Sequence, residues 1–184
     1  KGGGICVYVR SDISCHILQL HSNDNDETSS IEILWLECCY DNLTYCVACC
    51  YHPPKPNYSV IQFIEVLSAD IDLVNSRFDN PLIVVAGDFN TLDTIFLEND
   101  FGLCQIVTSP THGHNLLDKV FVSRPNIYVS NVFCSLLKTK HCAVIVHNTD
   151  TVSIRKSSKR REVERRYLRP HNIDRLRNYL GVYD

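Results

Sequence analysis

Residues 82–90 read Leu82-Ile83-Val84-Val85-Ala86-Gly87-Asp88-Phe89-Asn90. The continuous apolar run, β-branched at Ile83, Val84 and Val85, predicts a strand buried on both faces, as in the parallel part of an α/β sheet. Gly87 frees the backbone to turn sharply. A carboxylate and a carboxamide then stand at the strand's carboxyl end, where ligands bind in open α/β sheets. Asp88 there can act as a general base or metal ligand, and Asn90 can fix a water or a phosphate oxygen. Taken alone, the pattern is more often an Asp/Asn turn closed by local side-chain bonds.

The flanks have the periods of a layered α/β domain. Upstream, Val60, Ile64, Leu67, Ile71, Val74 and Phe78 recur at helical spacing, with Ser59 and Gln62 fitting a capping box and Pro81 closing the segment. Strands are expected at residues 5–9 after the glycine run, at 13–20 as their hairpin partner, and at 31–38 and 43–51 joined by Asp41-Asn42. Pro53, Pro54 and Pro56 end that ladder, because proline has no N–H to donate. Further strands are expected at residues 116–122, 128–133 and 142–146. Asp24, Asp26 and Glu27 fall in a polar stretch that reads as a solvated loop.

The 184 residues suit one domain with a short tail, residues 1–148 and 149–184. No apolar run reaches membrane-spanning length and no signal-peptide pattern opens the chain. It starts at Lys1 and contains no Met, so it is expected to be an internal piece of a longer protein. The net charge of −3 hides a split: 8 Lys/Arg against 17 Asp/Glu over residues 1–154, and 10 against 4 over residues 155–184. A basic segment of this kind meets nucleic acid or is simply a solvated helix face, with Asn172 capping an Ile173, Leu176, Leu180 stripe. The ten cysteines are too few for a disulfide scaffold. Cys46-x-x-Cys49 has no second pair at zinc-finger spacing, so buried thiols and a reducing compartment are expected.

Three further pieces join Gly87-Asp88-Phe89-Asn90: Tyr51-His52-Pro53-Pro54 after a strand, Pro110-Thr111-His112-Gly113-His114-Asn115-Leu116-Leu117-Asp118 running into a strand, and Thr139-Lys140-His141 before another. In this order they resemble the endonuclease/exonuclease/phosphatase superfamily, and within it the apurinic/apyrimidinic-like endonuclease domains of non-LTR (LINE, jockey-like) retrotransposons. The opening Gly2-Gly3-Gly4-Ile5-Cys6-Val7-Tyr8-Val9-Arg10 fits the same elements. The resemblance implies a four-layered α/β sandwich of the DNase I-like type, lacking its first strands. It implies phosphodiester hydrolysis with Mg²⁺ or Mn²⁺, and nicking of target DNA in the nucleus. It implies as partners DNA and, in the full polyprotein, a reverse transcriptase domain and the element RNA, with no membrane.

By the same resemblance, Asp88 orients or activates the attacking water or assists the leaving group, Asn90 holds that water or a phosphate oxygen, and Tyr51 contacts the scissile phosphate. His141 binds or protonates the phosphate, with Asp118 orienting its ring, as a carboxylate fixes an imidazole and favours its charged form. The family's last motif is usually Ser-Asp-His. Here Lys140 replaces that Asp, and a lysine repels a divalent ion. The family's Asn and metal-binding Glu would lie upstream of Lys1, so the metal ligands are open and activity is expected to be impaired. His52, Lys55, His112 and His114 flank the motifs, where each could touch substrate, and the reading as ordinary loop residues is the stronger one. Two other functions stand beside the nuclease: a catalytically silent nucleic-acid-binding module, and, ranked lower, a phosphatase of the same superfamily.

The basic segment carries 8 Lys/Arg within residues 155–169, among them Arg155, Lys156, Lys159, Arg160 and Arg161. Deleting residues 155–184 is expected to abolish nonspecific, strongly salt-dependent DNA binding. A filter-binding titration that shows the same affinity and salt slope after deletion sinks that role.

Overall fold

The computed structural model describes residues 4–20, 30–135 and 139–149. The chain divides into two compact units, Lys1–Thr151 and Val152–Asp184, and the described residues belong to the first. The acidic loop at Asp24, Asp26 and Glu27, the basic segment and the Asn172 helix lie outside the described residues.

Among the described residues, eight strands and two α-helices follow in the order β1 (Ser14–Ile17), β2 (Glu32–Tyr40), β3 (Leu43–Tyr51), α1 (Val60–Arg77), β4 (Leu82–Asp88), α2 (Ile95–Asn99), β5 (Cys104–Gln105), β6 (Asp118–Val122), β7 (Tyr128–Phe133) and β8 (Ala143–Asn148), with a short 3-10 turn at Pro125–Ile127. Six strands form one sheet in the order β1-β2-β3-β4-β6-β5, and β7 pairs with β8 in a second. The β2–β3 hairpin turns at Asp41 and Asn42 with φ of 52° and 59°, the left-handed pair that matches the twist of two antiparallel strands. Its partner across the next seam is different: β3 runs parallel to β4, and α1 makes the crossover.

Each face of the large sheet carries its own layer. On one side Trp35, Cys46, Ala48, Cys50, Ile83, Val85 and Phe121 pack with Phe63, Leu67, Ile71 and Val74 of α1. On the other, Val107, Val120 and Val122 pack with Tyr128, Val132, Val144 and Val146 of the second sheet. Helix, six-stranded sheet and two-stranded sheet are thus the layers of the expected α/β sandwich seen among the described residues. The Ser59 capping box forms as the sequence requires, with its hydroxyl accepting from the Gln62 N–H at 3.1 Å and the Gln62 side chain accepting from the Ser59 N–H at 2.8 Å.

Several expectations need correction. Residues 5–9 form no strand, and Tyr8 is 94% exposed. A β-rich run becomes a strand only when a ladder and a buried face accept it. The segment expected to pair with it, β1, pairs with β2 instead, in register Cys15↔Cys38. The α1 face is also rotated from the predicted stripe. Val60 is exposed, while Phe63 and Asp70 are fully buried. Asp70 belongs inside because the Trp35 indole donates to its carboxylate at 3.0 Å, locking α1 to β2 through a charge-assisted bond. Cys46 is buried and Cys49 half-buried on the opposite face, because residues three apart in a strand point to opposite sides. Those two thiols cannot share an ion.

Gly87 has a different task from the one its place in the motif suggests. It lies within β4, opposite Cys50 in the parallel ladder. A Cβ at this position would stand 1.9 Å from the Cys50 carbonyl oxygen, so only glycine lets β3 and β4 close here. The left-handed turn falls at Asn90 instead, with φ 48°. Gly87→Ala is expected to destabilise the fold by about 3 kcal/mol through backbone overpacking. An unchanged urea midpoint overturns this account of the β3–β4 seam.

Candidate active site

Three strands in two registers build the site. Tyr51 on β3 stands opposite Asp88 on β4, and Asp88 stands opposite Asp118 on β6. Side chains at paired positions share a face. Tyr51, Asp88 and Asp118 therefore project side by side from the carboxyl ends of two parallel strands and the start of an antiparallel one. His141 arrives from the segment before β8, bridged to His112. Its Nδ1 lies 2.8 Å from Asp118 Oδ2, with both side chains partly exposed.

Two loops hold these groups. In the first, the Asn90 N–H donates to Asp88 Oδ1 at 3.0 Å, closing an Asx turn. The Asn90 carboxamide donates to the His52 carbonyl at 2.7 Å, and the His52 N–H donates to the Asp88 carbonyl at 2.9 Å. Asn90 thus ties the end of β3 to the end of β4 with one of its two amide hydrogens. Beyond it, the Lys119 ammonium donates to the Leu92 carbonyl at 3.2 Å and to Thr94 Oγ1 at 2.9 Å. Burial lowers the pKa of this lysine, with the charges of Asp93 and Glu98 opposing.

The second loop turns on Thr111, which is fully buried. Its hydroxyl accepts from the N–H of Leu117 at 3.1 Å and of Asp118 at 2.9 Å. Its own N–H donates to the Asn115 carbonyl at 2.9 Å, and its carbonyl accepts from Cys142 at 2.7 Å. One residue thereby fixes the backbone of Asp118 and the strand entry beside His141. The sequence signalled Thr111 only through its place in Pro110-Thr111-His112; burial of a threonine ahead of a site aspartate is the structural reason behind that pattern.

Electrostatics set the protonation of the floor. The Asp88 carboxyl is pushed above its ordinary value, first by burial and then also by the Asp118 charge. The Asn90 N–H and the charges of His141 and His112 pull it back down. Ligand atoms of Asp88, Asp118 and His141 lie within 4.8 Å of one another. One oxygen of each carboxylate is committed, to Asn90 or to His141, and the other accepts no hydrogen bond among the described residues. Two hard oxygen donors and a nearby imidazole suit a divalent cation such as Mg²⁺ or Mn²⁺, whose charge also relieves the repulsion between the two aspartates. The residues therefore fit such an ion. Lys140, adjacent to His141, is exposed and forms no ion pair among the described residues.

The flanking residues separate by environment. His114 and Lys55 are exposed. His52 is buried, its Nδ1 3.2 Å from the Tyr58 hydroxyl and its ring edge-on to Tyr58 and Phe63. It is a core residue. His112, expected to be an ordinary loop residue, instead packs its ring on His141 with centroids 4.7 Å apart. Sequence reading also gave no role to Glu32, which stands opposite Tyr51 in the β2–β3 register with a buried Oε2 lacking a hydrogen-bond partner among the described residues.

Comparison with known proteins follows from this geometry. A family model described as the Endonuclease/Exonuclease/phosphatase family matches residues 1–139, ending two residues before His141. The endonuclease domain of TRAS1, a telomere-specific non-LTR retrotransposon, is similar in structure, with a TM-score of 0.51 at 12% sequence identity. That similarity covers 73% of this chain and 76% of the other, and it is one of fold. No curated protein matches the chain.

Burial lowers the pKa of His52 below its ordinary 6.5, against a smaller opposing effect of the Asp88 charge. The unfolded chain then takes up this proton before the folded one does. Stability from this group is complete above about pH 6.5 and is lost as pH falls below it, so the melting temperature is expected to drop between about pH 7 and 5.5. His52→Gln should flatten that slope in a calorimetric series. Equal slopes in both proteins contradict it.

Proposed function

The chain belongs to the endonuclease/exonuclease/phosphatase family, and from that premise we propose that it hydrolyses phosphodiester bonds in DNA with Mg²⁺ or Mn²⁺, nicking a target strand as a retrotransposon endonuclease. The observation that carries this reading is the convergence of Asp88, Asp118 and His141, with His141 Nδ1 held by Asp118.

Each residue has a task that its surroundings suit. Asp118 fixes the His141 ring through Nδ1, which leaves Nε2 to face a phosphate oxygen. Asp88, raised by burial, sits where a carboxylate can accept a proton from an attacking water. Tyr51, beside Asp88 in the register, presents a phenol to the scissile phosphate. Asn90 keeps Asp88 in place with one amide hydrogen on the His52 carbonyl, and its second amide hydrogen can hold the attacking water or a phosphate oxygen. A divalent cation held by the free oxygens of Asp88 and Asp118 would supply positive charge to the phosphate and acidify bound water. In an element-encoded polyprotein the same chain would work in the nucleus beside a reverse transcriptase and element RNA.

Lys140 favours a second reading, a nucleic-acid-binding module with little hydrolytic activity, because its positive charge stands where relatives of this type carry an acid. The two readings part on one experiment with supercoiled plasmid and the full chain. Slow nicking with Mg²⁺ is expected, abolished by Asp118→Asn. Lys140→Asp is expected to tighten Mn²⁺ binding in calorimetry about tenfold and to speed nicking by a similar factor. Strong DNA binding with no nicking in either form supports the binding module instead. Hydrolysis of small phosphomonoesters in preference to DNA would point to the phosphatase alternative.

A further inference from the structure

His112 is the one imidazole near the site that the mechanism leaves without a task. It is half-buried, not solvated like His114 and not sealed in the core like His52. Its backbone is fixed on both sides. It exchanges hydrogen bonds with Asn115, donating at 3.0 Å and accepting at 2.9 Å, across a turn in which Gly113 takes φ 60°. It also bridges to His141, and the two rings meet at 4.7 Å with an interplanar angle of 51°. Neither ring nitrogen of His112 has a hydrogen-bond partner among the described residues. Its charge reaches Asp88, whose carboxyl it pulls down along with His141. A partly open imidazole, fixed by its backbone and packed on a site residue, with no ring hydrogen bond among the described residues, has the properties of a group that meets a ligand.

The geometry of the proposed substrate supplies the need. A phosphodiester has two non-bridging oxygens, and His141 has one nitrogen left after its bond to Asp118. A second donor beside it completes a pair for one tetrahedral anion. On the phosphodiesterase reading above, we propose that His112 is a second phosphate-binding residue of this site, donating to a non-bridging oxygen of the scissile phosphodiester beside His141.

The test uses the full chain and thymidylyl-thymidine as the probe. Titration is expected to shift the side-chain nitrogen resonances of His112 together with those of His141. His112→Ala should raise KM for a short DNA duplex about tenfold, with kcat changed less than about threefold. His112→Gln keeps an N–H donor and should stay within about threefold of the parent in KM, while a purely structural role gives no such rescue. The proposal fails if the His112 resonances do not move, if KM of the alanine variant stays within about twofold, or if glutamine is as damaging as alanine. DNA cleavage with an unmoved His112 overturns this assignment and leaves the endonuclease reading standing. Probe-dependent shifts in a chain that never cleaves DNA do the reverse.

Discussion

The close parallel pairing of β3 with β4 is the contact on which the rest depends. Backbone meets backbone at Cys50 and Gly87, with no room for a side chain between them. That approach sets the register that places Tyr51 beside Asp88, and β6 extends the row to Asp118. A slip of one residue by β4 and β6 against β3 would turn both carboxylates to the opposite face, into the α1 core, and away from Tyr51. The core resists such a slip. Trp35, Phe63, Leu67, Ile71, Val85 and Phe121 are buried on that face, each contributing on the order of 1.5–3 kcal/mol. Two carboxylates are thus held close together by packing, although their charges oppose it.

Inside the site, hydrogen bonds divide the oxygens unevenly. Asp88 gives one to the Asn90 N–H, and Asp118 gives one to the His141 ring. What is left over faces the open side. The protein has therefore fixed orientation with the bonded oxygens and kept binding capacity in the others. Lys140 works against a cation here, but its exposure gives the ammonium water as an alternative, so the repulsion is screened and not absolute.

Much of this was legible in the chain because it rests on local signals. The Ser59 capping box, the Asp41-Asn42 turn and the apolar run of β4 each depend on neighbours within a few residues. The elements that misled depend on distant partners. Residues 5–9 have strand composition but no ladder to join. The buried face of α1 includes Asp70 because a tryptophan 35 positions earlier donates to it. Gly87 looked like a turn residue, and its reason was a carbonyl on another strand. The site residues were legible through the ordered motifs that carry the family resemblance, and the register brings them together. His112 was not legible, since only the bridge to His141 distinguishes it from His114 two residues away.

The Thr111 hub separates what must be constant from what can vary. Its bonds to Leu117, Asp118 and Cys142 lie on the sheet side of the loop, while the Gly113-His114 turn projects beyond the last bonded pair, His112 with Asn115. Gly113 holds a φ of 60° that strains any side chain, but the exposed His114 beside it can be exchanged without moving the aspartate beneath. The rim of the site is thereby uncoupled from its floor, so the one can diversify quickly while the other stays the same.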